Sequence, residues 1–152
     1  ARRRPPPRMS RYVLGFLFNK ARNSVVLIIK EKPAWMQGKM NGVGGKIEEG
    51  ETPLQAMNRE FQEEAGVEGL PWKPFGRLHG EGFEIFLFFA VSDEPASTQT
   101  VEEIRYVLLA QLEELPVLPN LRWMIPMALS FKRGEHCEFF DIRETTAGTR
   151  SA

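Results

Sequence analysis

The chain has 152 residues, 42% of them hydrophobic and 26% charged, with 20 Lys+Arg set against 20 Asp+Glu. That profile fits one globular domain with a real core, argues against a broad nucleic-acid surface, and contains no apolar run long enough to span a bilayer. The lone cysteine, Cys137, excludes an internal disulfide and reads as a small buried or half-buried residue, while His79 and His136 are isolated and no Cys/His cluster has zinc spacing. No secretory signal is in view, so a cytoplasmic location is the expectation.

Residues 1–8 (ARRRPPPR) are basic and proline-rich, which suits neither a helix nor a central strand. They read as a disordered tail before a single domain over 9–143, with Met9 as a natural start and 144–152 as a polar tail. Residues 11–18 (RYVLGFLF) and 24–31 (SVVLIIKE) read as strands joined by a turn at 19–23. Both are nearly continuous apolar runs, so at least part of each is expected to be covered on both faces. Residues 32–40 form a loop with Trp35 and Met36 near its middle. Residues 41–46 (NGVGGK) read as a glycine turn, open to positive φ and to close backbone approach. The exposed amides and carbonyls of such a turn suit a phosphate or a metal ion.

A helix is expected next. Thr52 is a suitable N-cap, Pro53 suits the first helical position, and Gly66 suits the position after the last turn. At about 100° per residue, with Glu60 as zero, Glu63 falls near about −60° and Glu64 near about +40°. Leu54, Met57, Phe61 and Ala65 gather at about +60° to +140° as the core-facing stripe. Three carboxylates at this spacing repel one another, and no lysine is interleaved. One explanation is a solvated acidic face. The other is a site for a hard divalent cation, which takes oxygen ligands. The glycine segment just before the helix favours the second.

Beyond the helix, 71–79 and 83–91 (FEIFLFFAV) read as paired strands around Gly80-Glu81-Gly82, the second of them central. Residues 92–100 are a polar loop, and 101–110 (VEEIRYVLLA) a further strand preceded by two acids, Glu102 and Glu103. A helical turn at 112–115 leads to a helix at 121–132, where Pro126 should kink or restart the chain. Its apolar stripe is Leu121, Met124, Ile125 and Ala128. Trp123 either covers a pocket or packs. A last strand is expected at 138–142. Strands interleaved with a long helix and a late helix define an α/β class.

The segment GKIEEGETPLQAMNREFQEEAGV resembles the Nudix box, G-x5-E-x7-R-E-U-x-E-E-x-G-U, where U is a bulky apolar residue. Gly45, Glu51, Arg59, Glu60, Phe61, Glu63, Glu64, Gly66 and Val67 fill its fixed positions, and the flanking text is similar to the MutT-like branch that acts on nucleoside triphosphates. The resemblance implies an α/β/α sandwich, a mixed sheet between helices, with the box as loop–helix–loop. It implies a metal-dependent pyrophosphohydrolase that converts a (d)NTP to a (d)NMP and pyrophosphate, with sanitation of the nucleotide pool as a role. Mg²⁺ or Mn²⁺ would be held by Glu60, Glu63 and Glu64, the carbonyl of Gly44, and a further acid, for which Glu103 is the candidate beside its alternative as a solvated loop acid. Glu60 or Glu63 would be the general base, and Arg59 would orient the acids by pairing with Glu51 or Glu63. In the oxidised-purine branch an aromatic and an asparagine at the places of Trp35 and Asn41 hold the base. An indole can stack on it and an amide can read its edge, against the alternatives of core packing for Trp35 and turn stabilisation for Asn41. Lys46 and Gly45 would meet phosphate. That branch carries an acidic pair before its last helix, whereas this chain has Pro119-Asn120-Leu121. Two alternatives stay open: hydrolysis of another nucleoside diphosphate linked to a group X, and a Nudix-like binding module without turnover. The partner expected is a nucleotide, with no stable nucleic-acid partner and no membrane, on a monomer or homodimer.

Overall fold

A computed structural model describes residues 9–132 and 139–145. The elements run β1 (Ser10–Phe18), β2 (Ser24–Ile29), β3 (Met40–Asn41), β4 (Val43–Lys46), α1 (Pro53–Ala65), β5 (Lys73–Gly80), β6 (Phe83–Val91), β7 (Ile104–Leu108), α2 (Leu121–Lys132) and β8 (Phe140–Arg143). Short 3-10 turns occupy Ala34–Met36 and Leu109–Glu114. Among the described residues no helix is long and apolar enough to cross a membrane.

The strands form one mixed sheet in the order β3-β2-β1-β6-β5-β8, with β4 also on β1 and β7 also on β2. At its centre β1 and β6 run parallel in register from Ser10↔Phe83 to Phe18↔Val91. A parallel pair needs a long crossover, and this one contains α1. Both central strands are apolar on both faces because a helix layer covers each side. Val13, Leu17, Phe88 and Ala90 pack with Met57, Phe61 and Ala65 of α1. Leu14, Phe16, Leu87 and Phe89 pack with Leu121, Met124, Ile125 and Ala128 of α2. The α/β/α sandwich therefore stands as the sequence indicates, including the buried stripe of α2, which runs as one helix through the exposed Pro126.

Several expectations change. Residues 41–46 are not a simple turn. Val43–Lys46 pairs antiparallel with β1, from Tyr12↔Lys46 to Gly15↔Val43. Positive φ occurs at Gly50 and Gly66 but not at Gly42, Gly44 or Gly45. These glycines serve close approach instead: a Cβ on Gly44 would overlap the carbonyl oxygen of Val13. In α1 Leu54 is 45% exposed, and Ala56 is buried in its place. The strand expected at 101–110 begins only at Ile104, because the hydroxyls of Thr98 and Thr100 accept from the amides of Ile104 and Glu102. The last strand starts at Phe140 and runs parallel to β5. Residues 1–8, Glu138, Cys137, His136 and the tail beyond Thr145 lie outside the described residues.

Candidate active site

The start of α1 follows the sequence closely. The Thr52 hydroxyl accepts from the Gln55 amide at 3.1 Å, and the Gln55 side chain accepts from the Thr52 amide at 2.9 Å. This capping box satisfies amides that the first helical turn leaves free. Gly66 ends the helix at φ 77°, as a left-handed cap that glycine adopts without strain. The helix lies low on the sheet: a Cβ on Gly15 of β1 would come within 2.7 Å of the Met57 sulfur.

That docking partly buries the acidic face. Ala56, at about −40° on the wheel used above, is buried along with Met57 at about +60°. Glu60 and Glu64 fall between them and so lie within the buried arc rather than beside it. The Glu60 side chain is 12% exposed, whereas Glu63, at the edge of the arc, is 57% exposed. Burial pushes the Glu60 carboxyl above its usual range, against the opposing pull of Arg59. Burial also pushes Glu64 up, to about 8, helped by the charge of Glu60 and opposed by Lys30. One carboxyl oxygen of Glu64, Oε2, is buried without a hydrogen-bond partner among the described residues.

Arg59 ties this face to the loop before the helix. Its Nε and Nη2 donate to the two Glu51 oxygens at 2.7 and 2.9 Å, a bidentate pair. Nη2 also donates to the Lys46 carbonyl at 3.0 Å, and Nη1 to Glu60 at 2.8 Å and Glu63 at 3.4 Å. Glu51 accepts from the Glu48 amide as well, and these bonds, that from Arg59 first, hold its carboxyl below the usual range. Both pairings foreseen for Arg59 are present.

Gly45 lies against this group. A Cβ there would overlap the Glu60 carboxyl group, so glycine is what lets β4 and the acid share the space. Gly44 and Gly45 line a cavity of about 450 Å³ together with Tyr12, Leu14, Lys30, Trp35, Met36, Asn41 and Ile85. Trp35 is 65% exposed, so of the two roles weighed for it core packing falls away. The Asn41 side-chain oxygen accepts from the Gly42 amide at 2.9 Å, so the residue shapes the backbone and lines the cavity at once. The structure thus gathers Gly44, Gly45, Asn41 and Trp35 around one opening, with Glu60 against Gly45.

Other candidates stand apart. The Lys46 side chain is exposed and is not part of the cavity wall. Glu103, the candidate fourth acid, is turned outward, 53% exposed and paired with Arg105 at 3.3 Å. Its neighbour Glu102 is the buried one, at 7% exposure. The Glu102 carboxylate accepts from Lys30 Nζ at 3.1 Å and from the Glu31 amide at 2.7 Å. Burial raises its pKa, but these bonds outweigh burial and hold it below the usual value. Its charge is also felt at Glu64. A signal for this was present in the sequence: side chains alternate along an extended chain, and Ile104 faces the core, so Glu102 shares its side and Glu103 does not. Trp123 packs against the α2 layer and donates to Asn120 at 3.3 Å.

Among the described residues no three His, Cys, Asp or Glu side chains stand close enough together to hold a metal ion as they are. The donor chemistry nonetheless fits a hard divalent cation. Carboxylate oxygens are its preferred ligands, and a buried, unpartnered Glu64 oxygen beside Glu60 is a place where a cation would relieve an unfavourable charge.

The NUDIX domain family matches residues 8–135. The chain is 38% identical over 68 residues to the 8-oxo-dGTP diphosphatase of Escherichia coli (strain K12); that stretch is 45% of this chain and 52% of the relative, so the match spans about half the relative's length. Among solved structures, MutT from a study of the Aliivibrio salmonicida and Vibrio cholerae proteins superposes with a TM-score of 0.70 at 21% identity, over 82% of this chain and 100% of that one. The NUDIX domain of Shewanella oneidensis NrtR, complexed with ADP ribose, superposes with a TM-score of 0.72 at 17% identity, over 82% and 88%.

Proposed function

We propose, from the premise that this chain belongs to the Nudix family as a MutT-like member, that it hydrolyses nucleoside triphosphates to the monophosphate and pyrophosphate with Mg²⁺ or Mn²⁺. The observation that carries the reading is the half-buried pair Glu60 and Glu64, one of them with a buried, orphaned oxygen, beside a glycine strand that lines an open cavity.

Each residue has a task in this reading. Glu60, Glu63 and Glu64 hold the metal, with the Gly44 carbonyl at the cavity edge. A bound divalent ion neutralises phosphate charge and lowers the pKa of water. Glu60 or Glu63 takes the proton of the attacking water. Arg59 positions the acids through Glu51, Glu60 and Glu63. Trp35 offers a ring face to the base and Asn41 an amide to its edge, while Gly45 keeps the approach to Glu60 free of a side chain. Glu103 would serve as the family's further acid by leaving Arg105, whereas both oxygens of Glu102 are already taken by Lys30 and by the Glu31 and Lys32 amides. Pro119-Asn120-Leu121 supplies no acidic pair for an oxidised guanine. A role in cleansing the nucleotide pool therefore turns on which base is preferred.

A panel of normal and oxidised nucleoside triphosphates, sugar-linked diphosphates and dinucleotides tests this, scored for pyrophosphate and orthophosphate with each metal. Pyrophosphate release from triphosphates is the expected result. Turnover confined to diphosphate-linked substrates would replace it with the nucleoside diphosphate-X reading. Tight binding without turnover of any substrate would leave a binding module.

A further inference from the structure

The loop between β2 and β3 carries Trp35, and none of the residues in its 3-10 turn Ala34–Met36 is buried. Its apolar hold on the core is the half-buried Met36, on the far side of the turn from the outgoing limb. Its base is closed by the Lys30 amide donating to the Lys39 carbonyl at 2.9 Å and the Gly38 amide donating to the Lys30 carbonyl at 2.8 Å. Within it, the Met36 amide donates to the Pro33 carbonyl at 2.9 Å. The outgoing limb has no strand beside it. Its first two amides, Glu31 and Lys32, instead donate to Glu102 Oε2 at 2.7 and 3.4 Å. The other oxygen, Oε1, accepts from Lys30 Nζ at 3.1 Å.

Glu102 is itself fixed. Its amide donates to the Thr100 hydroxyl at 3.1 Å, and the Ile29 amide donates to the Glu103 carbonyl at 2.8 Å, which extends the β2–β7 pairing to this point. A buried carboxylate held just before β7 therefore does for this limb what a neighbouring strand would do. Each of its oxygens has a separate task, and both face donors.

We propose that Glu102 is a positioning residue for the nucleotide seat: it fastens the outgoing limb of the Trp35 loop and so sets the aromatic wall of the cavity. The substrate half of this inference rests on the nucleotide reading above; the fastening itself does not. Binding that orders a loose loop is weakened by the ordering it requires. Glu102 thus acts on substrate capture rather than on the chemical step at α1.

Two variants and two readouts test it. Glu102→Ala removes both acceptors. Glu102→Gln keeps the volume but offers one oxygen and one NH₂, so a donor must face either Lys30 or the loop amides. Hydrogen exchange of the metal-free protein should accelerate over residues 31–36 by roughly tenfold or more in Glu102→Ala and by less in Glu102→Gln, with α1 unchanged. KM for a hydrolysed triphosphate should rise by roughly tenfold while kcat stays within about threefold. If Glu102→Ala does not fold, Glu102→Gln alone decides. Unmoved loop exchange, equal loosening of α1, or a fall in kcat at constant KM would overturn the proposal. Exchange needs no substrate, so a protein that hydrolyses no triphosphate would sink the preceding reading and leave this one to be decided by the loop.

Discussion

In the metal-free protein the Glu64 carboxyl ionises near about 8 instead of 4.5. Between those values the folded chain holds a proton that the unfolded chain has released, so stability falls as pH rises through that window and levels off above it. Glu60, also raised, acts in the same sense, whereas Glu51 and Glu102, both lowered, contribute stability that is lost only at more acidic pH. Thermal midpoints should therefore decline from pH 5 to pH 8.5 without divalent ion. Glu64→Gln should flatten that slope, and Mg²⁺ should raise the midpoint more at pH 8 than at pH 6. Turnover should respond elsewhere too: Glu63→Gln, at a more exposed position, should lower kcat by about two orders of magnitude or more with little shift in midpoint. Gly45→Ala tests the contact from the other side. Its Cβ must displace the Glu60 carboxylate, and a loss of turnover of roughly tenfold or more is expected. Most of these residues were legible from spacing alone. Glu102 was not distinguished from Glu103 because two adjacent acids look alike until alternation along the chain is counted from Ile104, and the exposure of Trp35 depends on how its loop is held.

At the scale of elements, the loop 46–51 and α1 behave as one piece because Arg59 is bonded to both. Its side chain is 22% exposed and shared among Glu51, Glu60 and the Lys46 carbonyl. Arg59→Ala should lower the unfolding free energy in urea by about 2–4 kcal/mol, since it strands a carboxylate that is itself mostly buried. Thr52→Ala, which removes only the helix cap, should lower it by about 1 kcal/mol. A clear excess for Arg59 is the outcome that supports its role as a fastening between loop and helix. The helix caps were legible, as Thr-Pro at the start and Gly at the end. The strand character of residues 43–46 was not, because glycines carry no side-chain alternation to reveal a strand and mark turns in most settings. What makes them a strand is the free edge of β1, a long-range partner with no local trace.

The whole molecule is organised around β1, which meets β2, β4 and β6 along its length. Its neighbours in the sheet could not be ordered from sequence, and six of the eight strands were foreseen, β3 and β4 falling within the expected loop and glycine turn. Phe61 stacks edge-on to Trp72 at 5.1 Å beneath α1, and Gly15 lets the helix settle there. Gly15→Val should lower the thermal midpoint by several degrees, corresponding to about 1–3 kcal/mol of overpacking. Its effect should extend to Glu60 and Glu64, because lifting α1 moves them as a body. The same strand also fixes a length. Val13 and Leu14 pair with Gly45 and Gly44, whose strand abuts Glu60, while Tyr12 and Leu14 form part of the cavity wall. In the proposed reading, the β1 side of the base seat and the acids that would act on a phosphate are thus marks on a single ruler. If that reading holds, such a caliper would constrain how far the broken bond lies from the base more than which base is presented.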